Sequence, residues 1–285
     1  MSPQKVRCRQ IQEADLEAVA DLLTRGFPLR ARKYWTTGLN NLRARPSPNG
    51  CPQFGYLLEA EGAVVGAILL IFTQSGTGEA AAIRCNVSSW YVDPDYRAHG
   101  ALMVSQALKL KHVTYVNISA ADHTLPMLKA QGYTRYSQGQ FVALPALARG
   151  VRGLRARAFS SERDRDLPEF DLLRAHAEAG CRVLVCEEEA GRTPFVFARR
   201  RIAYAPFGVL QLVWCRDTGG FVRCAGALGR RLLGDGVLAV LCDAEAPVPG
   251  LVGRFFADKA PRFFKGPERP RPNDLSFTEL VLFGA

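Results

Sequence analysis

Residues 82–118 most narrowly limit what this chain can fold into. A β-rich run, Ala82 to Val92, passes through Asp93-Pro94-Asp95-Tyr96-Arg97-Ala98-His99-Gly100 into an apolar-periodic segment, Ala101 to Lys111, and returns to a β-rich run, Thr114 to Ser119. Strand, helix and strand in that order require parallel pairing through a right-handed crossover. The neighbouring runs read as antiparallel. Phe54 to Glu59 and Val64 to Thr73 form a hairpin about Ala60-Glu61-Gly62-Ala63, and Thr134 to Leu144 reads as a last strand pair. Upstream, a strand Val6 to Ile11 precedes a helix whose apolar face is Leu16, Val19, Ala20, Leu22 and Leu23, ending at Gly26. A second helix covers Lys33 to Leu42, and a short one, Leu125 to Gln131, closes at Gly132. One crossover among antiparallel neighbours predicts an α/β fold of the α+β mixed-sheet kind, with helices on the sheet faces, and excludes a doubly wound parallel sheet.

The second half repeats this order loosely, and a repeat changes the domain count. Gly153 to Phe159 reads as a strand and Asp166 to Ala179 as a helix with Leu167, Phe170, Leu173 and Ala177 on one face. Val183 to Glu187 and Pro194 to Ile202 form a hairpin around Glu189-Ala190-Gly191. Phe207 to Cys215, Gly220 to Leu233 and Val237 to Cys242 make a second strand, helix and strand. A loop-rich stretch holding Phe255, Phe256, Phe263 and Phe264 leads to a final strand, Ser276 to Phe283. These phenylalanines are expected in the core, or as a wall or partner surface. The expectation is two tandem domains, 1–147 and 148–285, the second a degenerate copy.

Composition narrows the function classes. At 285 residues, 48% hydrophobic and 22% charged, the chain is of the globular kind, and no apolar run approaches the roughly 20 residues of a membrane span. Its net charge of +10 invites a nucleic-acid reading, yet residues 1–147 hold 15 basic and 10 acidic side chains and residues 148–285 hold 22 and 17, a net +5 in each half. An excess so evenly spread argues against a dedicated nucleic-acid surface. The eight cysteines include no C-x-x-C and sit mostly in apolar runs, which predicts buried free thiols. The four histidines lie at no ligand spacing, so no metal site is expected. The amino terminus has no apolar leader segment, from which a cytoplasmic protein is expected.

The turn at the crossover carries the chemistry. Amides at a helix start converge on an anion, the helix dipole favours it, Gly100 lets the backbone come close and Arg97 adds charge. Here the sequence resembles the GCN5-related N-acetyltransferases. The resemblance rests on Trp90-Tyr91-Val92, on Asp93-Pro94-Asp95-Tyr96-Arg97 and on Gly132-Tyr133, and spans residues 5 to 146 in element order. The family's loop, R/Q-x-x-G-x-G/A, binds the pyrophosphate of acyl-coenzyme A. Arg97 and Gly100 match its first two specified positions, and Leu102 stands where the family has Gly or Ala.

The resemblance implies an acyl-CoA N-acyltransferase-like fold and transfer of an acyl group, most simply from acetyl-CoA, to an amine. The implied cofactor contacts are Tyr91, Val92, Arg97, Ala98, His99, Gly100, Ala101, Leu102 and Asn117. The implied catalytic candidates are Asp93 as base, with Glu79 as an alternative, and His123 and Tyr133. The family's usual acid, a tyrosine four residues before the Gly, is replaced by Leu128. The acceptor site would lie between the first two helices and the loop after them, near Tyr34 and Trp35. Expected partners are a small-molecule or peptide amine, with no membrane and no nucleic acid, and a homodimer is one assembly such a chain could form. The competing readings are a non-catalytic acyl-CoA-binding or partner-binding protein on the same fold and, with only net charge behind it, a nucleic-acid-binding module. In the second half the corresponding turn, Trp214 to Arg223, lacks the R-x-x-G spacing.

Overall fold

The apolar periodicities resolve into elements in the order of the chain. In the computed structural model, which describes residues 6–76, 81–189, 191–201 and 207–284, the first half runs β1 (Val6–Gln10), α1 (Leu16–Gly26), α2 (Arg32–Arg43), β2 (Gly55–Ala60), β3 (Ala63–Ser75), β4 (Ala82–Val92), α3 (Gly100–Ala107), β5 (Val113–Asn117), α4 (Leu125–Ala130) and β6 (Thr134–Ala143). The second half runs β7 (Arg155–Ala158), α5 (Phe170–Glu178), β8 (Arg182–Glu188), β9 (Gly191–Arg200), β10 (Gly208–Cys215), α6 (Thr218–Leu233), β11 (Val237–Ala244), β12 (Gly253–Lys265) and α7 (Glu279–Leu282). Glu79, Ala190 and Ile202 lie outside the described residues.

All twelve strands belong to one mixed sheet, ordered β1-β2-β3-β4-β5-β12-β6-β11-β10-β9-β8-β7. Among the described residues only β4 with β5 and β10 with β11 pair in parallel. The order reads alike from both ends. Five strands of the first half lead inward to β12 from the second half, and five strands of the second half lead inward to β6 from the first. The last strand of each half is thus exchanged across the middle of the sheet, where β12 and β6 pair antiparallel.

The helices cover faces that the sequence marks as apolar. Leu16, Val19, Ala20, Leu22 and Leu23 of α1 are buried on one sheet face with α2, and the same cluster continues through Leu173 of α5 and Val183 of β8. On the other face α3 buries Met103 and Ala107 against Ile68, Leu70 and Phe72, while α6 buries Phe221, Leu228 and Leu232 against Phe195, Phe197 and Leu212. One core therefore runs beneath both halves on the α1–α2–α5 side.

The structure corrects several sequence expectations. Residues 253–265, expected as loop, form β12. Its register jumps between Ala257 and Arg262, and Asp258 and Ala260 take φ of 59° and 47°, so a bulge interrupts the strand where Pro261 cannot donate to a ladder. Ser276 to Phe283, expected as a strand, instead turns at Phe277 (φ 55°) and closes into the one-turn helix α7. Thr134 to Leu144 holds the single strand β6, and the crossover helix ends at Ala107. The four phenylalanines part company: Phe255, Phe263 and Phe264 pack against three different clusters, and Phe256 is exposed. All eight cysteines are unbridged and five are buried. Among the described residues no helix is long and apolar enough to cross a membrane, and no group of three or more His, Cys, Asp or Glu could hold a metal ion.

Candidate active site

The site begins with a bulge. Along β4, Ser88 faces Leu69 and Tyr91 faces Ala67, so Ser89 and Trp90 together oppose Ile68 alone, and Ser89 takes a φ of 47°. An extra residue bends a strand and leaves backbone groups unpaired. Pairing of β4 with β5 accordingly stops at Asn86 and Val116. Beyond them the two strands part, and a cavity of about 350 Å³ fills the opening. The volume suits a small-molecule site.

Four groups of residues wall this cavity. Phe27 and Arg30 come from the connection between α1 and α2, Tyr34 and Trp35 from α2, and Trp90, Val104 and Leu108 from β4 and the α3 region. Asn117, Ser119, His123, Leu128 and Tyr133 come from β5 to β6, and Arg200, Glu279 and Leu280 from the second half. Gly100 lets α3 start close to this wall: a Cβ there would stand 3.2 Å from the Trp90 ring.

Glu279 is the residue that the sequence reading missed. Its carboxylate accepts hydrogen bonds from the hydroxyls of Ser88 on β4 and Ser119 beyond β5, bridging the two parted strands. Its backbone N–H donates to Oδ1 of Asn86, at the last paired position of the fork, across 2.9 Å. The side chain is buried, and burial raises its pKa above the ordinary carboxylate value although both serines, Arg262 and Arg30 favour the charged form. A carboxylate so placed is a stronger proton acceptor than an exposed one. The available signal in the sequence was a single acid inside the apolar run Leu275-Ser276-Phe277-Thr278-Glu279-Leu280-Val281-Leu282.

The segment carrying Glu279 is tied down at every turn. The Arg84 guanidinium donates to the Asp274 and Ser276 carbonyls, Asn41 donates to the Leu282 carbonyl at 2.6 Å, and the Phe283 ring fills the space over Gly38. His176 is buried, with Nδ1 2.7 Å from the Leu172 carbonyl and Nε2 accepting the Phe277 N–H at 3.2 Å. Both contacts suit the neutral ring, and burial lowers its pKa from 6.5 to about 4. Between those two values the unfolded chain binds a proton that the folded chain refuses, so stability is full above pH 6.5 and falls as the pH drops toward 4. The loss should reach about 3 kcal/mol. Urea unfolding at pH 7 and pH 4.5 measures it, and His176→Gln should flatten the dependence. An unchanged wild-type midpoint would show that His176 titrates as in solution.

The matching opening in the second half is filled by the chain itself. Strands β10 and β11 pair in parallel up to Gln211 and Leu241 and then part. Into the gap comes the segment 273–275. Leu275 N–H donates to the Val213 carbonyl at 2.7 Å, and the Asn273 amide bonds both the N–H and the carbonyl of Asp243, at 2.7 and 3.0 Å. At the start of α6 the Asp217 carboxylate accepts from Gly220 N–H at 2.6 Å. A side-chain carboxylate thus occupies an amide that an external anion would need.

The structure brings together only part of the set named from the sequence. Asn117, His123 and Tyr133 border the cavity, with Leu128 beside them, as do Tyr34 and Trp35. Tyr133 also belongs to the α3-side core, and its burial raises the hydroxyl pKa far above the ordinary phenol value, which makes it a weak acid. Asp93 lies outside the cavity wall and pairs with Arg25 at 3.1 Å. Tyr91 turns its ring toward α1, where only a glycine at position 26 leaves room. Val92, Arg97, Ala98, His99, Ala101 and Leu102 stand off the cavity wall, with Arg97 and Leu102 exposed. The loop is wound more tightly than expected: residues Pro94–His99 form a 3-10 turn, and Gly100 N–H donates to the Arg97 carbonyl.

No protein-family model matches the sequence, and no curated protein matches it. Solved structures do. A GCN5-related N-acetyltransferase from Kribbella flavida superposes with a TM-score of 0.61 at 15% identity, over 92% of this chain and 71% of the other. Another, from Anabaena variabilis, gives 0.59 at 10% identity over 91% and 72%. Eis1 from Mycobacterium abscessus gives 0.52 at 11% over 91% and 73%. The chain has the fold of the GCN5-related N-acetyltransferases.

Proposed function

We propose that this chain is an acyl-CoA-dependent N-acyltransferase, with acetyl-CoA as donor, and that residues 1–147 and 148–285 are two copies of one domain of which the first works. The observation that carries this reading is the contrast between the two openings. The β4–β5 opening is a cavity with a raised-pKa carboxylate in its wall, while the β10–β11 opening is filled by residues 273–275. The donor's pantetheine would pair with the free edge of β4 as those residues pair with β10, its diphosphate lying toward Arg97 and the start of α3. The amine nitrogen attacks the thioester carbonyl, a C–N bond forms, the C–S bond breaks and the thiolate leaves. Glu279 takes the ammonium proton, and an amide freed by the Ser89 bulge donates to the developing oxyanion. The sheet positions these groups before the substrates arrive.

Thermal-shift titration with acetyl-CoA and with desulfo-CoA tests donor binding. Both should raise the apparent stability, by about 2.7 kcal/mol at a hundredfold excess over Kd, and Arg97→Glu should weaken both shifts. No shift at millimolar ligand would overturn the proposal. A shift retained in Arg97→Glu would move the diphosphate away from that loop. Leu128, standing where the resembled family carries its acid, favours a second reading, a non-catalytic acyl-CoA binder. Thiol release from acetyl-CoA across a panel of amines separates the two.

A further inference from the structure

Two arginines line this cavity, Arg200 sheltered and Arg30 exposed. Arg200, at the end of β9, is half-buried, and its Nε is buried without a hydrogen-bond partner. Among the described residues no carboxylate lies within ion-pair distance of Arg200 or Arg30. The Arg30 guanidinium lies 4.5 Å from the centre of the Tyr34 ring, which holds it at the mouth. Most other arginines of the chain that are at all sheltered are paired: Arg9 with Asp15, Arg84 with Asp274, Arg157 with Asp164, Arg216 with Glu169 and Arg262 with Asp243. A sheltered guanidinium without an acceptor is costly, and a carboxylate or phosphate oxygen relieves it through charge-assisted hydrogen bonds.

Their position says which substrate would bring that anion. Arg30, Arg200, Tyr34 and Glu279 all line this cavity, and Arg30 stacks on the Tyr34 ring. Both guanidinia act electrostatically on Tyr34, as does Glu279. One small molecule can therefore place its nitrogen at Glu279 and its anionic group at the arginines.

We propose, resting on the acyltransferase reading above, that the acceptor is a small amine carrying an anionic group, bound through that group by Arg200 and Arg30. The negative charge orients the amine with its nitrogen toward Glu279 and excludes neutral alkylamines by leaving the arginines unpaired. Losing charge-assisted hydrogen bonds of this kind costs about 10- to 100-fold in affinity. The second half thereby supplies acceptor specificity to a donor site built by the first.

The test compares acetylation of a panel of L-amino acids and 2-aminoethyl phosphate with that of the corresponding amino-acid amides and simple alkylamines. For at least one acid, kcat/KM should exceed that of its amide by about 10- to 100-fold, mostly through KM. Arg200→Met should collapse the ratio toward one, and Arg200→Lys should restore part of it. If Arg200→Met does not fold, Arg30→Met at the exposed mouth carries the same comparison. The carboxylate and phosphate arms separate the two anion chemistries. Thermal shift with the same amines and no donor gives an independent readout: stabilisation by the acids, lost in the Arg200 variant, supports the inference even without turnover. Equal use of acids and amides, or stabilisation unaffected by Arg200→Met, overturns it while leaving acetyl-CoA binding and thiol release to judge the acyltransferase reading separately.

Discussion

Glu279→Gln should lower kcat by about 10²- to 10⁴-fold, the range general-base catalysis ordinarily supplies, with the KM for acetyl-CoA little changed. Gln keeps the length and shape of the side chain; its carbonyl oxygen still accepts from one of the Ser88 and Ser119 hydroxyls and its amide NH2 donates to the other, so the fork between β4 and β5 stays bridged. Only the basic lone pair is lost. In the wild type, kcat/KM should rise with pH through a carboxyl pKa lying above the ordinary value, and this limb should vanish in the variant. Stability runs the other way. A carboxyl whose pKa is raised on folding stabilises while protonated, and that contribution is lost as the pH climbs through the raised value. Above the raised pKa, Glu279→Gln removes a buried charge, so there its Tm should equal or exceed that of the wild type, and the difference should close in acid. Asp93→Asn is the control, since it removes a half-exposed ion pair with Arg25 of the kind worth at most about 1 kcal/mol. If Asp93→Asn loses turnover and Glu279→Gln keeps it, the base has been misassigned.

Arg262→Leu should cost about 3–5 kcal/mol of stability. Arg262 on β12 and Asp243 on β11 pair at 2.9 and 3.0 Å with exposures of 5% and 0%. The same guanidinium donates to the Ile118 carbonyl just beyond β5. One side chain thus joins the second half's crossover strand to the rim of the cavity. Without it the Asp243 carboxylate stays buried with Gln211, at 3.5 Å, as its remaining side-chain donor. A charge left alone in the core costs more than the pair contributes. The double variant Arg262→Leu with Asp243→Leu should recover much of the loss. Urea unfolding measures all three; a cost under about 1 kcal/mol for Arg262→Leu would mean water reaches the carboxylate.

The crossover strand-turn-helix-strand, both hairpins and the apolar face of α1 were legible because each is local: periodicity and turn residues act within a dozen positions. What escaped was set by long-range contact. β12 was hidden by Pro261 and by the charges Arg254, Asp258, Lys259, Arg262 and Lys265, which read as loop. Arg262 lies in the core because Asp243, nineteen positions upstream, waits for it on β11. Ser276 to Phe283 is an apolar-rich run that reads as a strand, yet His176, Asn86 and Asn41 take its backbone groups one by one, and it closes into α7 instead. The cofactor loop shows the same limit. Arg97 and Gly100 stand at the spacing of a diphosphate loop, while Trp90 and the 3-10 turn, which no spacing records, determine how tightly that loop is wound. Glu279 belongs to the far half of the sequence, so no reading of residues 1–147 alone could reach it.

The exchanged central strands have a kinetic consequence. β12 follows every other strand in the chain, yet it must enter between β5 and β6, so the middle of the sheet closes last. Until it does, β5 and β6 both present open edges, the kind of surface on which chains associate. Folding therefore waits on a contact spanning more than a hundred residues, and such topologies fold slowly. Either half made alone would keep a raw edge at the position its partner strand should fill.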